Sequence, residues 1–265
     1  MSELAISVRN LTKNFGGGKT LFGRERHKIE AVKNVSFDLQ TGETLAIVGE
    51  SGSGKSTLAK MLVGLIEPTS GSMTIAGHDA GALRSFGAKA FGKIIQYVFQ
   101  DPVASLNPRK TIGEILNTPL RLLTDLDSAA RQKRMLELLD AVQMPKDTLE
   151  RYPHEFSGGQ AQRIAIARTL AAQAQILILD EPVSALDVSV QAQVLLLLQE
   201  LKKQFGLSYL FISHDLAVVE AISDRVAVMY FGEIVEEARA SDLFARPNHV
   251  YTQQLVASAP RINRE

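Results

Sequence analysis

Residues 43–59 read ETLAIVGESGSGKSTLA, an apolar run followed by a glycine-rich loop and the start of a helical pattern. Residues 49–56 of this stretch fit the pattern G-x-x-x-x-G-K-[ST]. Glycines let backbone N–H groups curl around phosphate oxygens, and the helix N-terminus adds partial positive charge. A plain glycine-rich turn is the alternative, but the strand-like run before the loop and the helix after it favour a phosphate site. In such a loop Lys55 reaches the β- and γ-phosphates and Ser56 ligates Mg²⁺.

The run ILILDEP at residues 176–182 supplies acidic groups that match this loop. Asp180 ends a buried-strand pattern and is placed to organise Mg²⁺ and its waters. Glu181 can polarise the attacking water as a general base. The acidic pair could instead cap the following helix, an alternative that the glycine-rich loop disfavours. Proteins with both motifs place them at the carboxyl edge of a parallel sheet, which predicts an α/β fold with a P-loop NTPase core.

The rest of the chain supports alternating strands and helices around a helical insert. Residues 4–15 and 31–40 have strand patterns, and IIQYVFQ and SYLFISHD are further strands. From about residue 101 to 165 the pattern is helical, and VQAQVLLLLQELKKQF is a long helix ending at Gly206. RVAVMYFGEIVEEA predicts a hairpin, and the segment from about residue 240 predicts one helix with a proline-bounded start. This order indicates a mostly parallel sheet with helices on its faces.

Composition restricts the classes of function. Lys plus Arg equals Asp plus Glu at 29 each, so the formal net charge is zero, which argues against a nucleic-acid partner. The chain has no cysteine, which rules out disulfides and Cys-ligated metal centres and favours the cytosol. We expect no signal peptide and no spanning helix, since the longest apolar runs are far below about twenty residues. Residues 16–30 predict an exposed loop, whose basic residues form a solvated surface: Lys19, Arg24, Arg26 and Lys28.

The stretch FSGGQ at residues 156–160 predicts a second anion-binding helix start. Ser157 with Gln160 forms S-x-x-Q, a capping box that many helices use without binding a ligand. Gly158 and Gly159 argue for more, because glycines cost about 1 kcal/mol each inside a helix and leave the first-turn N–H groups unshielded. A serine hydroxyl beside bare N–H groups suits a γ-phosphate.

Together these motifs resemble the nucleotide-binding subunit of ABC transporters, and the resemblance covers essentially the whole chain. The glycine-rich loop, FSGGQ and ILILDEP occur in the family's order, and Gln100 matches the Q-loop glutamine. SALD at residues 184–187 matches the D-loop, His214 in FISHD matches the switch histidine, and Phe15 fits the aromatic that stacks on adenine. The resemblance implies a RecA-like P-loop NTPase core, an N-terminal antiparallel β subdomain and an inserted α-helical subdomain. Phe156, where leucine is usual, is a departure with little expected consequence.

The resemblance also implies a single nucleotide-binding domain over residues 1–265. Residues 1–100 and 166–240 would form the ATP-binding core with its β subdomain. Residues 101–165 would form the helical subdomain, and residues 241–265 a short C-terminal tail.

The family resemblance assigns roles to individual residues. Glu181 is the general base, His214 holds the γ-phosphate and orients the water, and Lys55 binds the phosphates. Mg²⁺ would be held by Ser56, Gln100 and Asp180. Nucleotide contacts are implied for Phe15, Gly49, Glu50, Ser51, Gly52, Ser53, Gly54, Lys55, Ser56, Thr57, Gln100 and Asp187. The partner's nucleotide would be contacted by Ser157, Gly158, Gly159 and Gln160.

Two further stretches, VFQDPVASLNPRKTIGEIL and HVYTQQLVASAP, resemble the peptide/nickel subgroup of importers, although Val250 replaces the usual proline of HPYT. PLRLLTDLDSAARQKR is similar to Sap-type antimicrobial-peptide systems. The resemblance implies ATP and Mg²⁺ as ligands. Some relatives carry an iron–sulfur cluster in a longer tail, but we expect none here because cysteine is absent.

The same subgroup implies a peripheral position on the cytoplasmic face of the bacterial inner membrane. Its partners would be a second ATPase chain, with a heterodimer favoured over a homodimer, two permease subunits and, indirectly, an extracytoplasmic binding protein. Three alternatives compete. A soluble ABC ATPase acting on ribosomes or DNA usually has two such domains or long coiled coils, a small-molecule kinase leaves FSGGQ and SALD unexplained, and a hydrolysis-dead binding module conflicts with Glu181 and His214.

Overall fold

The computed structural model describes residues 3–16 and 28–258. Its strands are β1 (Leu4–Gly16), β2 (Lys28–Gln40), β3 (Thr44–Val48), β4 (Ser70–Ile75), β5 (His78–Asp79), β6 (Ile95–Val98), β7 (Ile176–Asp180), β8 (Ser208–Ser213), β9 (Arg225–Tyr230) and β10 (Glu233–Arg239). Its helices are α1 (Lys55–Leu62), α2 (Ala80–Ser85), α3 (Ala88–Ile94), α4 (Pro102–Ser105), α5 (Ile112–Leu123), α6 (Ser128–Ala141), α7 (Gly158–Leu170), α8 (Val188–Phe205), α9 (Leu216–Ile222), α10 (Ala240–Ala245) and α11 (Val250–Ser258). Two 3₁₀ turns lie at Lys146–Glu150 and Pro153–Glu155.

Internal contacts divide the chain into two units. The first unit comprises Met1–Ser85 and Leu210–Glu265, and the second comprises Phe86–Tyr209. The narrower division into core, helical subdomain and tail stays a prediction. The expected basic loop lies largely outside the described residues, although Lys28–Gln40 forms β2.

The first unit contains an antiparallel sheet and a second group of strands with both parallel and antiparallel pairings. The antiparallel sheet has the order β2-β1-β4-β5. In the second group β3 pairs parallel with β9, from Leu45 opposite Arg225 to Val48 opposite Val228, and β9 pairs antiparallel with β10. All residues of β3 are buried, as expected for a strand covered on both faces. The predicted hairpin is confirmed, and Phe231 and Gly232 turn it with positive φ angles of 44° and 90°.

The second unit joins a parallel strand pair to a set of helices. β6 pairs parallel with β7, from Ile95 opposite Ile176 to Val98 opposite Leu179. α5 begins with a capping box between Thr111 and Glu114 and packs against α6 and α7. α8 ends at Gly206, whose φ of 63° confirms the expected left-handed C-cap. The combination of parallel strands, an antiparallel sheet and a helical region confirms the predicted α/β fold class.

The C-terminal prediction of one helix was wrong. Two helices, α10 and α11, are separated by residues 246–249. Pro247 lies in this gap, and proline lacks an N–H and disfavours helical geometry in the residue before it. The Glu236 carboxylate fixes the gap by accepting hydrogen bonds from the N–H groups of Asn248 and His249, each at 2.9 Å. α11 therefore starts after the proline as a separate element.

Candidate functional site: a phosphate-binding loop and two acidic and glycine-rich motifs

The Lys55 ammonium lies inside the glycine-rich loop. Its Nζ donates to the carbonyl oxygen of Gly49 at 2.6 Å and to that of Glu50 at 2.7 Å. A third contact joins Nζ to the Ser53 hydroxyl at 3.3 Å. Lys55 is only 5% exposed, so the loop's own carbonyls replace water around a buried cation. Anionic phosphate oxygens can take over these contacts when a ligand enters.

Two loop positions require glycine on steric grounds. A Cβ at Gly49 would lie 2.1 Å from the Met229 carbonyl oxygen, and one at Gly54 would lie 2.1 Å from that of Ala31. Both glycines also have positive φ angles, 150° and 106°. The loop is thus pressed against the backbone of β2 and β9, which fixes its curvature.

The first turn of α1 is open to a ligand. Gly54 is the N-cap residue and has no side chain with which to cap the helix start. The N–H groups of a helix start carry partial positive charge and need acceptors. Ser56 and Thr57 lie half-buried in this turn, while Glu50, Ser51 and Gly52 are exposed on the loop. All the loop residues expected from the sequence are therefore gathered at one helix start.

In the second unit, the end of β7 places Asp180 against a tyrosine. The Tyr97 hydroxyl on neighbouring β6 donates to the Asp180 carboxylate at 2.5 Å, and both residues are buried. Burial, followed by the Asp180 charge and the hydrogen bond, raises the pKa of Tyr97, so the hydroxyl stays a donor. The sequence reasoning missed Tyr97. The strand run IIQYVFQ gave no sign that its tyrosine would lie beside residue 180.

Glu181 and Gln100 come together in the same unit. The Gln100 side-chain amide donates to the Glu181 carboxylate at 2.9 Å. Glu181 has a φ of 48°, a left-handed conformation that is costly for a residue with a side chain. Such strain just beyond a buried strand points its carboxylate in a direction that a regular strand would not allow.

FSGGQ forms the start of α7 as a complete capping box. Ser157 Oγ accepts from the Gln160 N–H at 3.4 Å, and Gln160 Oε1 accepts from the Ser157 N–H at 3.0 Å. A Cβ at Gly159 would lie 2.4 Å from Val190 Cγ1, whereas one at Gly158 would lie 3.3 Å from Leu186 Cδ2. Position 159 therefore requires glycine, because a side chain there would clash with Val190 on α8. Ser157, Gly158 and Gln160 remain exposed at the helix start.

The remaining predicted residues lie at element ends. Asp187 caps α8 by accepting from the Val190 N–H at 3.0 Å. His214 is exposed directly after β8, between Ser213 and the α9 cap Asp215. Phe15 is 39% exposed near the end of β1, with the Lys13 ammonium 5.1 Å from its ring centroid. These positions leave the side chains of His214 and Phe15 accessible to a ligand.

Over residues 3–16 and 28–258, no helix has both the length and the apolar character that crossing a membrane requires. The same residues hold no group of three or more His, Cys, Asp or Glu side chains suited to a metal ion.

The sequence pattern of the family described as "ABC transporter" matches residues 32–184. The chain is similar to the "Probable peptide ABC transporter ATP-binding protein y4tS" of Sinorhizobium fredii, at 49% identity over 98% of this chain and 74% of that protein. It is also similar to the "Oligopeptide transport ATP-binding protein OppF" of Lactococcus lactis, at 44% identity over 99% of this chain and 82% of that protein.

Solved structures agree with this likeness. A dimeric structure of a post-hydrolysis state of the ATP-binding cassette MJ0796, bound to ADP and Pi, matches 89% of this chain and 98% of that one, with a TM-score of 0.78 at 31% identity. The cbiO1 protein from Clostridium perfringens, part of the cbiONQ ABC transporter complex, matches 92% of each chain with a TM-score of 0.79 at 27% identity. By sequence pattern, close relatives and fold, the chain belongs to the ABC transporter family, as an ATP-binding subunit with ATPase activity.

Proposed function

We propose that this chain powers the uptake of peptides by binding and hydrolysing ATP at the cytoplasmic face of a bacterial inner membrane. The observation that carries the proposal is the extent of the likeness. Relatives named for peptide or oligopeptide transport are 44–49% identical over 96–99% of this chain. Antimicrobial peptides are a narrower cargo class suggested only by the stretch at residues 119–134. We propose residues 1–100 and 166–240 as the core, 101–165 as the helical subdomain and 241–265 as the tail.

We assign phosphate binding to Lys55 and to the loop residues. Supporting this is the buried ammonium, which contacts three loop oxygens and can turn to phosphate oxygens. Exposed Phe15 is suited to stack on the adenine ring. The nucleotide-contacting set also includes Asp187 and Gln100.

Mg²⁺ would be held by Ser56, Gln100 and Asp180. A hydroxyl, an amide oxygen and a carboxylate are the hard oxygen donors that Mg²⁺ prefers, so these residue types fit the ion. When bound, the ion neutralises charge on the phosphates. The Tyr97 hydroxyl fixes the Asp180 carboxylate on its buried side, which would keep that carboxylate oriented in the apo protein.

Glu181 would act as general base and His214 would hold the γ-phosphate and orient the water. The supporting geometry is the strained backbone of Glu181 and its hydrogen bond from Gln100. A carboxylate oriented towards the attacking water can act as its general base. Preorganised donors around the γ-phosphoryl group supply most of the stabilisation in such transfers.

Ser157, Gly158, Gly159 and Gln160 would act on a nucleotide bound to a partner ATPase. The dimeric cassette structures among the relatives support assembly with a second ATPase, and the family supports assembly with membrane permeases. We propose a different ATPase chain as the partner rather than a second copy. Two permease subunits and an extracytoplasmic binding protein would complete the system. ATP turnover by this chain alone, compared with turnover after a second ATPase chain is added, separates the two assemblies.

A pair of variants tests whether Lys55 binds this chain's own nucleotide and whether Ser157 acts on the nucleotide of the partner. Lys55→Ala should abolish ATP binding by the isolated chain. Ser157→Arg should leave that binding within about two-fold of wild type while it weakens ATP-dependent dimerisation and lowers turnover in the assembled transporter. The measurements are ATP titration of the monomer and sedimentation of the assembly. Loss of monomer binding in Ser157→Arg, with the fold intact, would refute the role given to the α7 start.

A further inference from the structure

The hydroxyl of Tyr251 on α11 contacts the phosphate-binding loop. The Glu50 N–H donates to Tyr251 Oη at 3.0 Å, across 201 positions of sequence. Tyr251 is 6% exposed, so the acceptor side of this bond is shielded from water, while Glu50 itself is exposed. A shielded hydrogen bond contributes more to local order than one in competition with solvent.

The same peptide group also binds Lys55. The Glu50 N–H and the Gly49 carbonyl belong to one peptide unit, which is planar. Its oxygen accepts from Lys55 Nζ at 2.6 Å, and its N–H donates to Tyr251. Because the two groups cannot rotate independently, the tyrosine hydroxyl fixes the orientation of the carbonyl that holds the lysine.

Tyr251 is itself held in place by several contacts. Its ring stacks on Tyr230 at the end of β9, with centroids 4.0 Å apart and planes inclined by 30°. Its backbone N–H donates to His249 Nδ1 at 3.2 Å. The segment preceding it is fixed by the Glu236 carboxylate. We call residues 247–258 the C-terminal strap.

Besides the Lys55 contacts, backbone hydrogen bonds order the phosphate-binding loop. Within it, the Ser53 N–H donates to the Glu50 carbonyl at 3.2 Å, and outside support comes from the Gly232 N–H on the Ser53 carbonyl at 3.0 Å. The first peptide of the loop therefore depends on Tyr251 for its N–H partner. A loop ordered before the ligand arrives binds more tightly, because less conformational entropy is lost on binding.

We propose that Tyr251 is a positioning residue for nucleotide binding, which acts by holding the Gly49–Glu50 peptide and through it the Lys55 ammonium. The inference rests on the proposed role of Lys55 in phosphate binding. The Tyr251 hydroxyl acts on the loop backbone and not on the phosphate itself. Removing its hydroxyl should release one peptide plane and leave the ring stack and the strap in place.

The test uses Tyr251→Phe with Tyr230→Phe as the matched control, in the full chain and in the assembled transporter. Tyr251→Phe should weaken ATP and ADP binding to the chain about three- to ten-fold, as expected for one shielded hydrogen bond. It should raise the KM for ATP by a similar factor while kcat at saturating ATP stays within about two-fold. Tyr230→Phe keeps the ring and should leave both constants within about two-fold.

The outcomes separate this inference from the proposed function. The inference about Tyr251 would be overturned if Tyr251→Phe bound ATP as tightly as wild type. It would also be overturned if Tyr230→Phe lost as much ATP affinity as Tyr251→Phe. A fall in kcat and in melting temperature with unchanged KM would show a purely structural tyrosine and would also overturn it. Lys55→Ala tests the function itself: if that variant loses ATP binding while Tyr251→Phe does not, only the inference about Tyr251 fails.

Discussion

Glu181 adopts a backbone conformation that its neighbours must impose. Its φ of 48° follows a buried strand, and the Gln100 amide holds its carboxylate at 2.9 Å. The strained backbone and the Gln100 hydrogen bond restrict the orientation of the side chain, as the proposed role of general base requires.

Glu181→Gln should bind ATP with nearly unchanged affinity but hydrolyse it about 10²- to 10⁴-fold more slowly, since an amide cannot accept the proton. ATP titration and phosphate release in the assembled transporter measure the two effects, and the closed ATP-bound dimer should accumulate. Turnover like that of wild type would mean that another group is the base.

Tyr97→Phe removes the hydroxyl that donates to Asp180 and should cost about 1–3 kcal/mol of unfolding free energy, because a buried carboxylate loses a donor. It should also raise the Mg²⁺ concentration needed for half-maximal turnover. Chemical denaturation measures the unfolding free energy, and a Mg²⁺ titration of turnover measures the Mg²⁺ requirement.

Tyr209→Phe is the control for Tyr97→Phe in the same unit, because the buried Tyr209 hydroxyl donates to a neutral carbonyl, that of Leu198, at 2.9 Å. It should lower stability without changing the Mg²⁺ requirement. The same shift of the Mg²⁺ titration in both variants would refute a specific role for Tyr97.

At the scale of elements, the contact between α7 and α8 places FSGGQ. Gly159 faces Val190, and Gly158 faces the end of Leu186. The α8 start is in turn capped by Asp187. FSGGQ and SALD therefore pack together, and a change at the start of either helix should affect the other.

Gly159→Ala should lower the unfolding free energy by about 1–3 kcal/mol, because its methyl group would lie 2.4 Å from a stiff β-branched side chain. Gly158→Ala should change it by less than about 1 kcal/mol, since the flexible Leu186 side chain needs to move by only a few tenths of an ångström. Denaturant unfolding of both variants checks the difference. Equal stability of the two would mean that α7 and α8 do not pack as described.

At the scale of the whole molecule, the ion pair between Arg9 and Asp38 on the surface contributes to the dependence of stability on pH. Arg9 Nη2 donates to Asp38 at 2.7 Å, which joins β1 to β2. This hydrogen bond, more than any other influence, lowers the pKa of Asp38 below its usual 3.8. A carboxylate with a lowered folded-state pKa stabilises the fold above its unfolded-state pKa, and this contribution is lost as the pH falls through the folded-state value.

Stability should therefore drop below about pH 4, and part of the drop should disappear in Asp38→Asn. Arg9→Gln removes the donor that lowers the pKa of Asp38. The loss of stability below about pH 4 should therefore shrink by a similar amount in this variant. Thermal unfolding between pH 3 and pH 7 measures this. Because the pair is partly exposed, high salt should reduce the difference between the variants and wild type. An unchanged pH profile in both variants would contradict the assignment.

The sequence by itself determined the structural features that depend only on residues close together in the chain. Local patterns predict the buried strands, the α8 cap at Gly206, the β9–β10 hairpin and the glycine-rich turn before α1, because turn chemistry and apolar periodicity act over a few residues. The same local rules failed at residues 246–249, where Pro247 and a distant carboxylate, Glu236, divide one expected helix into two.

Only the tertiary structure decided which side chains meet. The β6–β7 register brings Tyr97 to Asp180, 83 positions away, and α11 brings Tyr251 to the Glu50 N–H, 201 positions away. Neither tyrosine differs by local pattern from one that simply fills a core. Local sequence sets the secondary structure of each segment. Contacts between distant segments depend on strand register and helix packing, and these are set by how the apolar side chains of the whole chain are buried.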